Sequence, residues 1–103
     1  MIAKKYGSNG IDVSAIVFGG MRFNEKDGLD NGASLVKAAY DRGINYFDTA
    51  PLYGKSEDIF GIALKEMKKT RAQKPFYVST KTMKDNPQEV RKDIEESLKR
   101  MDL

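Results

Sequence analysis

The sequence predicts an α/β chain in which the strands of a small parallel sheet alternate with helices. Runs of branched and aromatic residues begin at Ser14, Ile44 and Phe76, 30 and 32 residues apart, which is the size of one strand-plus-helix unit. Each run is followed by a polar loop and then by apolar residues at helical spacing. The runs are almost continuously apolar, as strands covered by helices require. Open doubly wound sheets and closed barrels share this unit, although an open fold needs helices on both faces and more strands than three.

The elements follow in chain order. MIAKKYGSNG reads as a short strand and a glycine-flanked turn, giving an N-terminal hairpin that ends near Ile11–Val13. Ser14–Phe18, SAIVF, is the first strand of the sheet, ended by Gly19 and Gly20. A polar connection over Met21–Leu29 leads to a helix capped by Asp30 or Asn31. That helix carries Leu35, Val36, Ala39 and Tyr40 as its apolar stripe, and Gly43 suits the left-handed position after it.

Ile44–Asp48, INYFD, is the second strand. Ser56 reads as the cap of a second helix, with Glu57 and Asp58 at the positive end of its dipole and Ile59, Phe60, Ala63, Leu64 and Met67 on one side. Pro75 restarts the chain, and Phe76–Thr80, FYVST, is the third strand. The last helix has the clearest start: Asn86 as cap, Pro87 at the first helical position and Glu89 at the third. Its apolar face runs through Val90, Ile94, Leu98 and Met101. The expected organisation is one unit over 1–103, with a hairpin at 1–13 and βα units at 14–43, 44–75 and 76–103.

Composition removes several function classes. The chain has no cysteine and no histidine, so neither disulfides, a thiolate metal site nor a histidine proton shuttle is available, and no metal is expected. Eighteen basic against fifteen acidic residues leave a net charge of +3, and the two signs are mixed along the chain, which argues against nucleic-acid binding. No apolar run reaches the ~20 residues of a membrane span, and the first ten residues lack the core of a secretory signal. A cytoplasmic setting, with no membrane partner, is the expectation.

In parallel α/β folds, functional groups gather where strands end and helices begin. Asp48 closes the second strand, Tyr53 lies in its loop and Lys81 follows the third strand. Adjacent strands are ~4.8 Å apart, so Asp48 and Lys81 can pair and Tyr53 can fold over them. A phenol is a poor acid, with a reference pKa of ~10, but a neighbouring ammonium favours the phenolate and eases release of the proton. Such a tyrosine suits protonation of a carbonyl oxygen while hydride reaches the carbon. Taken singly, each residue has a plainer role: Asp48 as a turn cap, Tyr53 packed on Pro51, and Lys81 as a solvent lysine beside Lys84.

Four segments, IDVSAIVFGGMRF (11–23), GINYFDTAPLYGKSEDIFGIAL (43–64), STK (79–81) and EESLKRMDL (95–103), make the chain resemble the N-terminal part of an aldo-keto reductase. The resemblance covers essentially the whole chain, and the 43–64 block is its most specific part. It implies a TIM (β/α)₈ barrel, of which these residues would form the first three βα units, binding NADPH or NADH and reducing a small aldehyde or ketone. The family's catalytic Asp, Tyr and Lys correspond to Asp48, Tyr53 and Lys81. Gly20 and Met21, on the first strand-end loop, and Asp48 correspond to positions beside the nicotinamide ribose.

The family's orienting histidine follows a fourth strand, and the chain is expected to be truncated before that strand. On that reading a 103-residue piece is inactive alone and presents open sheet edges through which it can self-associate. Ile16, Phe18, Tyr46, Phe47 and Val78 are then the side chains expected to face the barrel interior. The alternatives are a non-catalytic barrel used as a binding module, as in potassium-channel β subunits, and a small self-assembling α/β protein.

Overall fold

The computed structural model describes residues 1–103. An antiparallel hairpin pairs β1 (Ala3–Lys5) with β2 (Asp12–Ser14), in the register Ala3 to Ser14. Three parallel strands follow in sheet order: β3 (Phe18–Gly19), β4 (Tyr46–Asp48) and β5 (Tyr77–Ser79). Between and after them run α1 (Leu29–Asp41), α2 (Ser56–Met67) and α3 (Pro87–Met101). Helix α2 packs between α1 and α3. The architecture is an α/β fold with the alternation of a partial, unclosed TIM barrel.

The first sheet strand lies later than the expected 14–18. Ser14 belongs to the hairpin, and its hydroxyl donates to the Ile16 carbonyl at 2.6 Å, turning the chain. Ile16 and Val17 are left 59% and 47% exposed, and pairing with β4 begins only at Phe18. The hairpin is anchored at the N-terminal end of β4. Asn45 Oδ1 accepts from Ser14 N at 2.7 Å, Asn45 Nδ2 donates to the Asp12 carbonyl at 3.0 Å, and Tyr6 packs on Tyr46 at 5.5 Å between ring centres.

Register determines which side chains meet the helices. Phe18, Phe47 and Val78 are paired across the three strands, so their side chains share one face. Phe47 is fully buried against Phe60 of α2 at 6.0 Å, and Phe18 and Val78 pack on the same core. These three therefore line the helix side of the sheet rather than the barrel interior. Tyr46 and Asp48 alternate with Phe47, and their partners Tyr77 and Ser79 alternate with Val78, so these four occupy the opposite face. Of the expected interior set Tyr46 alone lies on that face within a strand; Ile16 is in no strand.

Helix starts differ where no side chain caps. α1 starts at Leu29 after Gly28, whose φ of 85° favours glycine, and neither Asp30 nor Asn31 is its cap. Ser56 is the first residue of α2 rather than its cap. Asn86 does cap α3: Oδ1 accepts from Glu89 N at 3.1 Å, with Pro87 first in the helix.

Burial follows the predicted stripe in α2, where Ile59, Phe60, Ala63, Leu64 and Met67 are all in the core. In α1 Val36 and Tyr40 are buried while Leu35 is 54% exposed. In α3 only the last turns pack, through Ser97 and Met101, and Ile94 and Leu98 stay exposed. Gly61 of α2 makes that packing possible, because a Cβ there would run into the Arg100 carbonyl of α3.

Candidate active site

The C-terminal ends of β4 and β5 bring the predicted pair together. Lys81 Nζ donates to both oxygens of the Asp48 carboxylate at 2.9 Å and to the Thr49 carbonyl at 2.9 Å. Strand alternation accounts for it: Lys81 lies two residues beyond Ser79, which faces Asp48 across the ladder. Ser79 itself donates its hydroxyl to Asp48 Oδ1 at 2.6 Å. Ser79 was not among the predicted site residues, although the same two-residue period, applied backward from Lys81, finds it.

Burial alone would raise Asp48, but the Lys81 ammonium and the Ser79 hydroxyl outweigh it and hold the carboxyl below its ordinary range. Burial likewise works against a charged Lys81. Hydrogen bonding and charge from Asp48, with help from the Tyr53 hydroxyl, reverse this and keep the ammonium protonated above its usual range.

Tyr53 joins the pair from the β4–α2 loop, its ring centre 4.8 Å from Lys81 Nζ. The loop is pinned at both ends. Thr49 Oγ1 and Ser56 Oγ lie 2.7 Å apart at its base, and Tyr53 N donates to the Ala50 carbonyl at 3.1 Å. From the β3–α1 loop, Glu25 Oε1 accepts from Lys55 N at 2.5 Å, and Gly54 turns beneath it with a φ of 56°. Glu25 also supports the site and, unlike Ser79, has no recognisable sequence signal, since its contact spans 30 residues.

Beside the trio a cleft of about 370 Å³ is lined by Ala50, Leu52, Tyr53, Lys81, Met83 and Asp93, among others. Met21 is exposed and borders a smaller cleft with Tyr53. Gly20 is buried, and its N–H donates to the Asp48 carbonyl at 2.8 Å. Glycine is required there by the core, because a Cβ would stand 2.5 Å from a Phe60 ring carbon and 2.7 Å from Ser56 Oγ.

Residues 15–103 match the Aldo/keto reductase family. The chain belongs to that family. Among its relatives are "Probable aldo-keto reductase 1" of Glycine max, 33% identical over 96% of this chain and 32% of that protein, and "L-galactose dehydrogenase" of Arabidopsis thaliana, 35% identical over 94% and 33%. A solved structure described as "Putative aldo-keto reductase from Pseudomona aeruginosa" superposes with a TM-score of 0.76 at 28% identity. It covers 98% of this chain, and the match takes in 42% of the solved one. The chain thus spans about a third of the length of the curated relatives it matches, and corresponds to part of a larger aldo-keto reductase fold. No helix is long and apolar enough to cross a membrane.

The exposed part of this rim fits the nicotinamide cofactor that the family implies. Asp48 is partly open, with its side chain 34% exposed, and Oδ2 has Lys81 as its one hydrogen-bond partner, leaving acceptor capacity for a sugar hydroxyl. Met21, 57% exposed, offers an apolar surface in the cleft it shares with Tyr53.

Proposed function

We propose that the protein works as an NAD(P)H-dependent oxidoreductase that reduces a small aldehyde or ketone, with Tyr53 as proton donor. The observation that supports this is the contact of Lys81 with both Asp48 and Tyr53 at the ends of adjacent parallel strands. Bound NAD(P)H supplies the hydride that reaches the carbonyl carbon. Tyr53 gives its hydroxyl proton to the carbonyl oxygen, and Lys81 stabilises the negative charge that develops on the phenol oxygen. Asp48 holds the ammonium in place and keeps it charged. Asp48 and Met21, with the Gly20 backbone beside them, are the residues on this chain assigned to the cofactor's ribose and nicotinamide. The absence of cysteine suits a reducing cytoplasmic setting.

The chain alone is proposed to turn over negligibly and to bind NADPH weakly. Positioning of reactants supplies ~7 to 11 kcal/mol of such a barrier, and a chain spanning a third of its relatives carries few of the elements that would provide it. Its uncovered sheet edge gives it a route to self-association.

The test follows NADPH absorbance with a simple aldehyde in a complete reductase containing these residues. Replacing Tyr53 with Phe should lower kcat by ~10² to 10⁴; an unchanged rate removes Tyr53 as the acid. Calorimetric titration of the 103-residue chain with NADPH should give weak binding. Tight binding with sustained turnover overturns the inactivity of the chain alone.

A further inference from the structure

Asp48 and Lys81 meet on one side of the strand ends, and the Thr49 and Thr80 hydroxyls are engaged on the other, where α2 begins. There Thr80 Oγ1 donates to Glu57 Oε2 at 2.7 Å, and Arg100 of α3 pairs with Glu57 Oε1. Glu57 is 2% exposed and is the one charged side chain among the buried residues. Taking a carboxylate out of water is costly, and well-packed apolar replacements for buried ion pairs are often neutral or stabilising. Stability is therefore a poor account of why a carboxylate sits here.

Its location relative to Lys81 supplies a better one. The ladder between β4 and β5 ends where Thr49 N donates to the Ser79 carbonyl at 2.9 Å. Thr80 and Lys81 lie beyond that bond and outside the strand, so the backbone that carries Lys81 is held by side chains. On one side the Lys81 ammonium itself bonds to Asp48 and the Thr49 carbonyl. On the other the Thr80 hydroxyl holds to Glu57.

We propose that Glu57 is a positioning residue: through Thr80 it fixes the backbone at Lys81 and so aims the ammonium at Asp48 and Tyr53. Arg100 neutralises the Glu57 carboxylate and ties this support to α3. The inference rests on the reading of Asp48, Tyr53 and Lys81 as the site, but its test reads the ion pair and not turnover. Failure of Tyr53 as proton donor would leave the outcome below unchanged.

The test is an NMR titration of the Asp48 carboxyl carbon, the groups facing it being Lys81 and Ser79, with Tyr53 beyond Lys81. Thr80→Val removes the hydroxyl at nearly constant shape, and Thr80→Ser retains it. Glu57→Leu removes the acceptor while leaving Arg100 free to reach solvent from a side chain already 35% exposed. Thr80→Val and Glu57→Leu should each move the Asp48 midpoint upward, towards an ordinary carboxylate. The double variant should move it no further, and Thr80→Ser should match the wild type.

In thermal melts Thr80→Val and Glu57→Leu should each still unfold in one cooperative transition, so that the titration reads the aim of Lys81 and not loss of the fold. An Asp48 titration unchanged in Thr80→Val or in Glu57→Leu overturns the proposal. So does loss of folding in both, because the contact would then hold the fold together rather than direct Lys81.

Discussion

Lys81 Nζ stands 2.9 Å from both carboxylate oxygens of Asp48, across the boundary between two parallel strands. The pair couples stability to pH at both ends of the scale. Asp48 is held below its ordinary 3.8, so its contribution is complete above that pH and is lost as the pH falls through the lower, folded value. Lys81 is held above 10.5, so its contribution is complete below that pH and is lost as the pH rises through the higher, folded value. Asp48→Asn should therefore destabilise the chain between pH 3.8 and 10.5, with the difference closing outside that window. Both side chains are more than a third exposed, so screening limits the effect to ~1 kcal/mol or less, and 1 M salt should shrink it. Urea melts across pH measure both dependences.

Gly61→Ala tests how α3 is seated. Alanine gains ~1 kcal/mol of helix propensity over glycine. The new Cβ, however, would collide with the Arg100 carbonyl, a backbone atom that cannot swing aside. Overpacking of this kind costs ~1 to 3 kcal/mol, so the net effect should be destabilising. A thermal melt showing Gly61→Ala more stable than the wild type would mean that α3 does not pack this closely.

Gly54→Ala and Glu25→Ala address the loop that carries Tyr53. Gly54 has a φ of 56°, and a Cβ on it would lie 2.9 Å from Glu25 Oε1. A left-handed backbone costs a non-glycine residue ~1 to 2 kcal/mol before the clash is counted. Glu25→Ala leaves Lys55 N without its acceptor. Both variants should raise hydrogen exchange at Lys55 and broaden the Tyr53 ring signals, while the amides of Val36 and Leu64 stay protected.

Asn86→Ala removes the acceptor for Glu89 N. Loss of a side-chain cap costs ~1 kcal/mol, and Asn86→Asp or Asn86→Ser should restore most of it. Amide exchange in the first turn of α3 should rise in the alanine variant alone.

Much of this molecule is written in local pattern. The Asn86–Pro87 start of α3, the buried side of α2 and the alternation of strand and helix follow from residue type and spacing, because caps and period are properties of neighbouring residues. The closeness of Asp48 and Lys81 was legible for a related reason: strand ends in consecutive βα units lie side by side.

Local pattern is silent on matters settled by contacts between distant residues. INYFD has an interior-facing and a helix-facing choice, and only its register with β3 and β5 put Phe47 on Phe60 and Asp48 on Ser79. The helical period of Val90, Ile94, Leu98 and Met101 marks an apolar face, of which Met101 is buried as expected, yet the seating of Gly61 against Arg100 left Ile94 and Leu98 exposed and buried Ser97. The 14–18 run was apolar enough for a strand, but Asn45 bonded Ser14 into the hairpin and moved the sheet strand to Phe18. By itself the sequence determined the elements, their order and the chemical groups at the strand ends. The tertiary structure decided which face each side chain takes, because that depends on register and close approach between residues about 30 to 40 positions apart.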